Sequence, residues 1–176
     1  PISIYGYSKA LSEEKLEKIL KPNNQLVILR TSWLLGPQGK NFLLKVLNLH
    51  KENNSFPVVV DQIGAMSSTY DVARICWSII NDWNLISKSH YINHWTCEGI
   101  TSWYDIAIAI GKIATRYKIL DNPAEIIPIK TENFPTLAKR PLYSVLDCKS
   151  TQEILKIRCK HWHDELEEII LKLINQ

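Results

Sequence analysis

The sequence has 176 residues, 45% of them hydrophobic and 22% charged. That length and apolar share suit a single folded domain and exclude wholesale disorder. Twenty-one Lys and Arg against 18 Asp and Glu leave a net charge of +3, and the basic residues are scattered, which argues against a nucleic-acid or membrane-surface partner. No apolar run approaches the roughly 20 residues of a membrane helix, and the opening residues, with Tyr5, Ser8 and Lys9, lack the apolar stretch of a secretion signal. Cys76, Cys97, Cys148 and Cys159 contain no Cys-x-x-Cys pair, so they are expected to be free thiols in a cytoplasmic protein. Residue 1 is Pro and the only methionine is Met66, so a preceding segment is expected.

In chain order, residues 5–20 read as a helix with Leu11, Leu16, Ile19 and Leu20 on its apolar stripe, stopped by Pro22. The run Leu26 to Leu29 opens a buried strand over 26–34, of the kind found in parallel sheets. Gly36, Pro37 and Gly39 make a loop, and Asn41 is placed to cap a helix carrying Phe42, Leu43, Val46, Leu47 and Leu49. A short strand runs from Phe56 to Val60. Ser68 or Thr69 then caps a helix with Val72, Ile75, Cys76, Ile79, Ile80 and Trp83 on one face. Tyr91 and Ile92 suggest a strand. The clearest helix is 102–118, where Trp103, Ile106, Ala107, Ile110, Ile113, Ala114 and Tyr117 keep helical spacing behind a Ser102 cap. Residues 125–130 read as a strand with Pro128 marking a sheet edge, and a helix closes the chain at 162–175. Alternating strands and helices define an α/β fold with a largely parallel sheet. The Gly-rich phosphate-binding turn of dinucleotide folds is absent: Gly36 and Gly39 have no third partner.

The chemistry begins at Tyr5-Gly6-Tyr7-Ser8-Lys9. Four residues apart on a helix, Tyr5 and Lys9 share a face. A phenol with pKa about 10 is a poor acid–base group at neutral pH, and a nearby ammonium lowers it. Bringing it near 7 takes about 3 units, or roughly 4 kcal/mol. Such a pair can serve carbonyl reduction, although Tyr and Lys at this spacing also occur on ordinary helix surfaces.

The run from Pro1 to Lys9, PxxxYGxSK, resembles the catalytic helix of extended short-chain dehydrogenase/reductases. Later segments narrow the likeness: Arg30-Thr31-Ser32-Trp33-Leu34 with Gly36, Gly39 and Asn41-Phe42; Asp61-Gln62-x-Gly64 with Asp71-x-Ala73; Ser102-Trp103-x-Asp105-x-Ala107; and Pro135-Thr136-x-Ala138-x-Arg140-Pro141 with Ser144 and Leu146-Asp147. Together they resemble the dTDP-4-dehydrorhamnose reductase family. The resemblance implies the C-terminal part of a Rossmann-like doubly wound sheet plus a small α/β substrate-binding lobe. Residues 1–176 would form one unit, with the dinucleotide-binding half lying upstream. It further implies reduction of the 4-keto group of dTDP-4-dehydro-L-rhamnose by NADPH or NADH, as in dTDP-rhamnose and O-antigen biosynthesis. Tyr5 would be the proton donor and Lys9 would tune it and touch the nicotinamide ribose. Trp33, Asn41, Gln62 and Arg140 would contact the sugar nucleotide, Arg140 through its phosphates. The likeness leaves room for a homodimer. It also admits a non-catalytic relation, since the regulatory subunit of methionine adenosyltransferase resembles the same family. One departure stands out: Met66-Ser67 replaces the family's Pro-Thr, which puts the shape of that loop in question.

Other candidates are weaker. Cys159, His161 and His163 alternate but have no evident fourth ligand, so no metal is expected. His94 reads as structural. Asp61 and Gln62 could line a pocket or tie down their own loop.

Overall fold

The computed structural model describes residues 1–136 and 138–174. Among the described residues seven α-helices and eight short strands are interspersed along the chain. The helices are α1 (Ile4–Leu20), α2 (Phe42–Glu52), α3 (Thr69–Asn81), α4 (Trp83–Ser89), α5 (Trp103–Arg116), α6 (Lys149–Leu155) and α7 (Trp162–Ile174). The strands are β1 (Ile28–Arg30), β2 (Leu34–Leu35), β3 (Ser55–Val59), β4 (Ile63–Gly64), β5 (Ser67–Ser68), β6 (Ile92–His94), β7 (Thr101–Ser102) and β8 (Glu125–Ile129). The expected final helix is present to Ile174, and residue 175 lies outside the described residues.

Among the described residues the strands pair two by two. The pairs β1–β6, β2–β5 and β3–β8 are parallel, and β4–β7 is antiparallel. Register is set by Ile28 opposite Ile92, Leu34 opposite Ser67 and Ser55 opposite Glu125. Pro128 stands opposite Val58 in a two-stranded pair, an edge position where its missing N–H costs no ladder bond.

Two hydrophobic clusters divide the chain. One joins α2, α5, α7, β3 and β8 around Leu43, Val46, Phe56, Ile106, Ile110, Ile113, Leu166 and Ile170. The other gathers Ile75, Ile79, Ile86, Trp95, Cys148, Leu155 and Cys159 beside β1. The first packs helices against the β3–β8 pair. The second is the inner face of α3, α4 and α6 against the β1–β6 pair.

Helix α5 forms for reasons plain in its sequence. Ser102 Oγ accepts from Asp105 N, and the Asp105 carboxylate accepts from Ser102 N, a reciprocal cap. Seven of its 14 residues are buried: Ile106, Ala107, Ile110, Ile113 and Ala114 of the predicted apolar face, with Ala109 and Gly111 widening it. Helix α1 differs. Ser3 caps it by accepting from Gly6 N, yet it contains no buried residue. Leu11 and Leu20 are half-buried, but Leu16 and Ile19 of the expected apolar stripe are exposed, Ile19 by 68%.

The expected strand over 26–34 is shorter than the apolar run suggested. Leu26 is buried, but pairing covers only Ile28–Arg30, and that strand is half-exposed because it has one neighbour. Trp33 then adopts φ +46°, a left-handed conformation rare for a bulky residue. The reversal starts a new direction, and Leu34–Leu35 pairs with β5 instead.

Candidate functional site at the strand ends

The orientation of α1 fixes the site. Glu13 receives a forked hydrogen bond from the guanidinium of Arg30, at the end of β1. One turn further on, Glu17 accepts from the Tyr91 hydroxyl at 2.8 Å, just before β6 begins, and Lys21 packs over the Tyr91 ring. Helix α1 therefore runs antiparallel to β1 and β6. Tyr5 precedes Glu13 by two turns, about 12 Å at 1.5 Å per residue. It thus lies beyond the carboxyl ends of both strands. Ligands of open α/β sheets bind at this end. Lys9 sits one turn along from Tyr5, with its Nζ 5.4 Å from the ring centroid. Both are exposed, and the Tyr5 hydroxyl and the Lys9 ammonium make no hydrogen bond among the described residues.

Trp33 reaches the same end by another route, three residues past Arg30. Its indole stacks on Trp103 at 4.0 Å between centroids with a 19° tilt, and Phe42 packs on Trp103 from the next position. Gly64 comes close to that indole: a Cβ there would stand 2.7 Å from a Trp33 ring atom and 2.8 Å from Ser144 Oγ. Only a glycine lets the turn approach so closely. Trp33 is half-buried, and its indole N–H has no partner among the described residues.

The turn from Asp61 to Gly64 is tied on both sides. The Asp61 carboxylate accepts from Thr131 N and Thr131 Oγ1, and these bonds hold it below the ordinary carboxylate range against a small cost of burial. Buried Gln62 donates from Nε2 to Thr131 Oγ1 at 3.2 Å. Ile63 N donates to Leu142 O at 2.7 Å, and Ser144 N returns a bond to Ile63 O at 2.9 Å. These bonds bring the segment after Arg140 alongside Gln62 and Trp33. Arg140 is exposed and two residues from Leu142.

Asn41 is placed differently from a ligand contact. Its Oδ1 accepts from Leu44 N as the α2 cap, and its Nδ2 donates to Gly36 O and Gln38 O. The side chain is occupied in closing the Gly36–Gly39 loop below Trp33. The Met66-Ser67 departure also finds its account. Met66 is fully buried, and its carbonyl accepts from Cys97 N. Ser67 N donates to Trp33 O, and Ser67 Oγ accepts from Thr31 Oγ1 at 2.6 Å. Backbone pairing and one hydroxyl fix the loop that a proline would otherwise stiffen.

Sequence reasoning missed the polar support behind this wall. Trp95 Nε1 donates to Asp71 Oδ2 at 2.6 Å inside the second cluster, while Asp71 Oδ1 pairs with Arg74. The buried Glu165 carboxyl is pushed up by burial and by the Asp71 charge. The Asp71–Arg74 spacing was visible as a helical pair, but Trp95 and Glu165 are too distant in sequence to have been linked to it. His94 Nδ1–H donates to Asp147 O at 3.2 Å, a bond that fits the structural reading. Cys159 is buried while His161 is exposed, so the alternating Cys-His-His run does not converge.

A parallel α/β body with a Tyr/Lys helix overhanging its carboxyl strand ends is the architecture of Rossmann-like reductases. The chain belongs to the RmlD substrate binding domain family, whose model matches residues 1–175. It is 39% identical to a dTDP-4-dehydrorhamnose reductase of Aggregatibacter actinomycetemcomitans, covering 96% of this chain and 57% of that protein. It is 35% identical to the spore coat polysaccharide biosynthesis protein SpsK of Bacillus subtilis, covering 97% and 54%. Among solved structures it is similar to a dTDP-4-dehydrorhamnose reductase of Clostridium acetobutylicum, with TM-score 0.82 and 37% identity over 100% of this chain and 57% of that one. It is also similar to the Bacillus anthracis dTDP-4-dehydrorhamnose reductase in complex with NADP, with TM-score 0.83 and 28% identity over 98% and 56%. The chain thus spans a little over half the length of the curated relatives it matches.

Proposed function

We propose that this chain is the catalytic-helix and substrate-binding half of a reductase that converts the 4-keto group of dTDP-4-dehydro-L-rhamnose to the alcohol of dTDP-L-rhamnose. The observation that supports this reading is the shared strand end: Tyr5 and Lys9 arrive there on α1, and Trp33 arrives there from β1. The residues present fit a nicotinamide cofactor at its reactive end only, because the Tyr5 hydroxyl and Lys9 ammonium are free and exposed while no Gly-rich phosphate turn occurs in the sequence. When bound, NADPH or NADH supplies the hydride.

The chain's own residues supply the rest. Tyr5 Oη donates the proton to the C4 oxygen as the carbonyl carbon accepts hydride, which leaves a neutral secondary alcohol. The Lys9 ammonium stabilises the phenolate that Tyr5 becomes and would hold the cofactor ribose hydroxyls. Trp33 presents an apolar face to the deoxysugar and an unpaired N–H to a hydroxyl or phosphate oxygen. Arg140 is suited to the diphosphate by its planar fork. Gln62 holds the Asp61–Gly64 turn through Thr131 and lines the site from inside, and Asn41 shapes the loop below Trp33 rather than touching substrate.

The test is dTDP-4-dehydro-L-rhamnose-dependent oxidation of NADPH by the polypeptide that joins this chain to a dinucleotide-binding half, with dTDP-L-rhamnose as product. The 176 residues alone should show no turnover. Turnover by the chain alone would contradict the division of labour. Sugar-nucleotide binding without turnover in the joined polypeptide would favour a binding-only relative.

A further inference from the structure

The antiparallel β4–β7 pair brings two different surfaces to Trp33. Gly64 stands opposite Thr101 and Ile63 opposite Ser102. Trp103 follows at once, as the first residue of α5. The turn that touches the Trp33 indole and the ring that stacks on it therefore come from paired strands.

The backbone of Trp33 is held by hydrogen bonds. Ser67 N donates to Trp33 O at 3.1 Å, and the preceding Ser32 Oγ donates to Ala65 O at 2.6 Å. These bonds sustain the left-handed φ of +46°, which a bulky residue keeps only where its surroundings impose it. They do not fix the ring, which still turns about its side-chain torsions. Contact fixes the ring. Trp103 covers one face at 4.0 Å between centroids, and Phe42 of α2 buttresses Trp103 at 4.5 Å. Gly64 closes in beside the indole nitrogen: a Cβ there would meet Trp33 Cζ2 at 2.7 Å and Cε2 at 2.9 Å.

Helix α5 does not need Trp103 for its own stability. The Ser102–Asp105 cap starts the helix, and seven other residues bury its inner face. Trp103 is only half-buried, at the border of the first cluster beside Trp33 and Phe42.

We propose that Trp103 is a positioning residue for the sugar nucleotide: it fixes the tilt of the Trp33 indole, and so the part of the ring and the direction of the N–H that the ligand meets. The proposal rests on the reading of Trp33 as a wall of the sugar-nucleotide site. A wall recognises its ligand by close fit, so a shift of about 1 Å or a tilt of about 20° loses contact. Trp103 acts on binding through Trp33 and has no part in the chemistry at Tyr5, which arrives on α1.

The experiment is calorimetric titration with dTDP-L-rhamnose, together with kcat and KM, on the polypeptide that joins this chain to a dinucleotide-binding half. Trp103→Leu should weaken dTDP-L-rhamnose binding about fivefold and raise the KM of the 4-keto sugar nucleotide alike, with kcat and the KM of NADPH unchanged. Trp103→Phe should restore affinity to within about twofold, because a phenyl ring still stacks. In a Trp33→Ala background Trp103→Leu should cost no further affinity, because a residue that acts through Trp33 then has nothing to act on. Unchanged affinity in Trp103→Leu, no rescue by Phe, or additive losses in the double variant would overturn the proposal. Should Trp103→Leu not fold, Gly64→Ala decides: its Cβ pushes on the same ring and should weaken binding as well, and unchanged affinity there would overturn the proposal. If the unsubstituted polypeptide binds no dTDP-L-rhamnose, the sugar-nucleotide reading of the site falls and this proposal with it. If it binds, the variants judge Trp103 alone.

Discussion

Helices α1 and α5 are comparable in length and capped alike by serine, yet they are held by different forces. Helix α5 buries half its residues in the first cluster. Helix α1 buries none and is anchored by Arg30–Glu13 and the Glu17–Tyr91–Lys21 contacts, with Tyr5 exposed by 71%. Packed apolar area resists salt and local opening, while exposed ion pairs are worth about 0–1 kcal/mol and are screened. The element with the candidate chemistry is thus the loosely held one, and the element behind Trp33 is the rigid one. A candidate Tyr/Lys pair at an accessible strand end, set against a fixed aromatic wall, is what that difference provides.

The comparison can be broken at its strong side first. Ile110 of α5 is fully buried, so Ile110→Ala should cost about 2–5 kcal/mol by denaturant titration, as other core truncations do. A loss under about 1 kcal/mol would mean that α5 is not the structural anchor. Trp33→Ala comes next. Removing a half-buried indole stacked on Trp103 should cost about 1–3 kcal/mol of stability. It should also weaken dTDP-L-rhamnose binding about tenfold, or ~1.4 kcal/mol by calorimetry. A stability loss with unchanged affinity would make Trp33 a core residue alone.

His50 tests the join between α2 and α5 by pH. It donates from Nε2 to Ala107 O and accepts from Ala124 N at Nδ1, and burial lowers its pKa below the ordinary 6.5. Protonation therefore favours the unfolded chain. Its contribution is complete above about pH 6.5 and is lost as pH falls from there through the folded value. His50→Gln should flatten that part of the stability profile. The smallest effect belongs to α1: Glu13→Gln should change global stability by less than about 1 kcal/mol. It should nevertheless speed hydrogen exchange of α1 amides while α5 amides stay protected.

Much of this contrast was legible in the sequence, and its limits are physical. The Ser102 cap and the periodicity of α5 read directly because local signals and burial agree there, while the reciprocal bond of Asp105 came from the structure. The expected apolar stripe of α1 does not form a buried face, because a pattern does not say whether a neighbour covers it, and Leu16 and Ile19 lie open. The seven-residue helices α4 and α6 and the two-residue strands β2, β4, β5 and β7 are too short to show a period. Tyr5, Lys9, Trp33 and Gln62 were singled out as candidates by spacing and resemblance. The cap at Asn41 was legible too, but the reversal at Trp33 and the Asp71–Trp95 bond needed the fold.

The central claim is that Tyr5, on the loosely held helix, is the proton donor at the strand end. The direct measurement is kcat and sugar-nucleotide affinity for Tyr5→Phe in the polypeptide joined to its dinucleotide-binding half. Loss of one exposed hydroxyl should leave folding and dTDP-L-rhamnose affinity unchanged and lower kcat by at least about 100-fold, the scale of a lost general acid. Near-normal turnover in Tyr5→Phe would contradict the account.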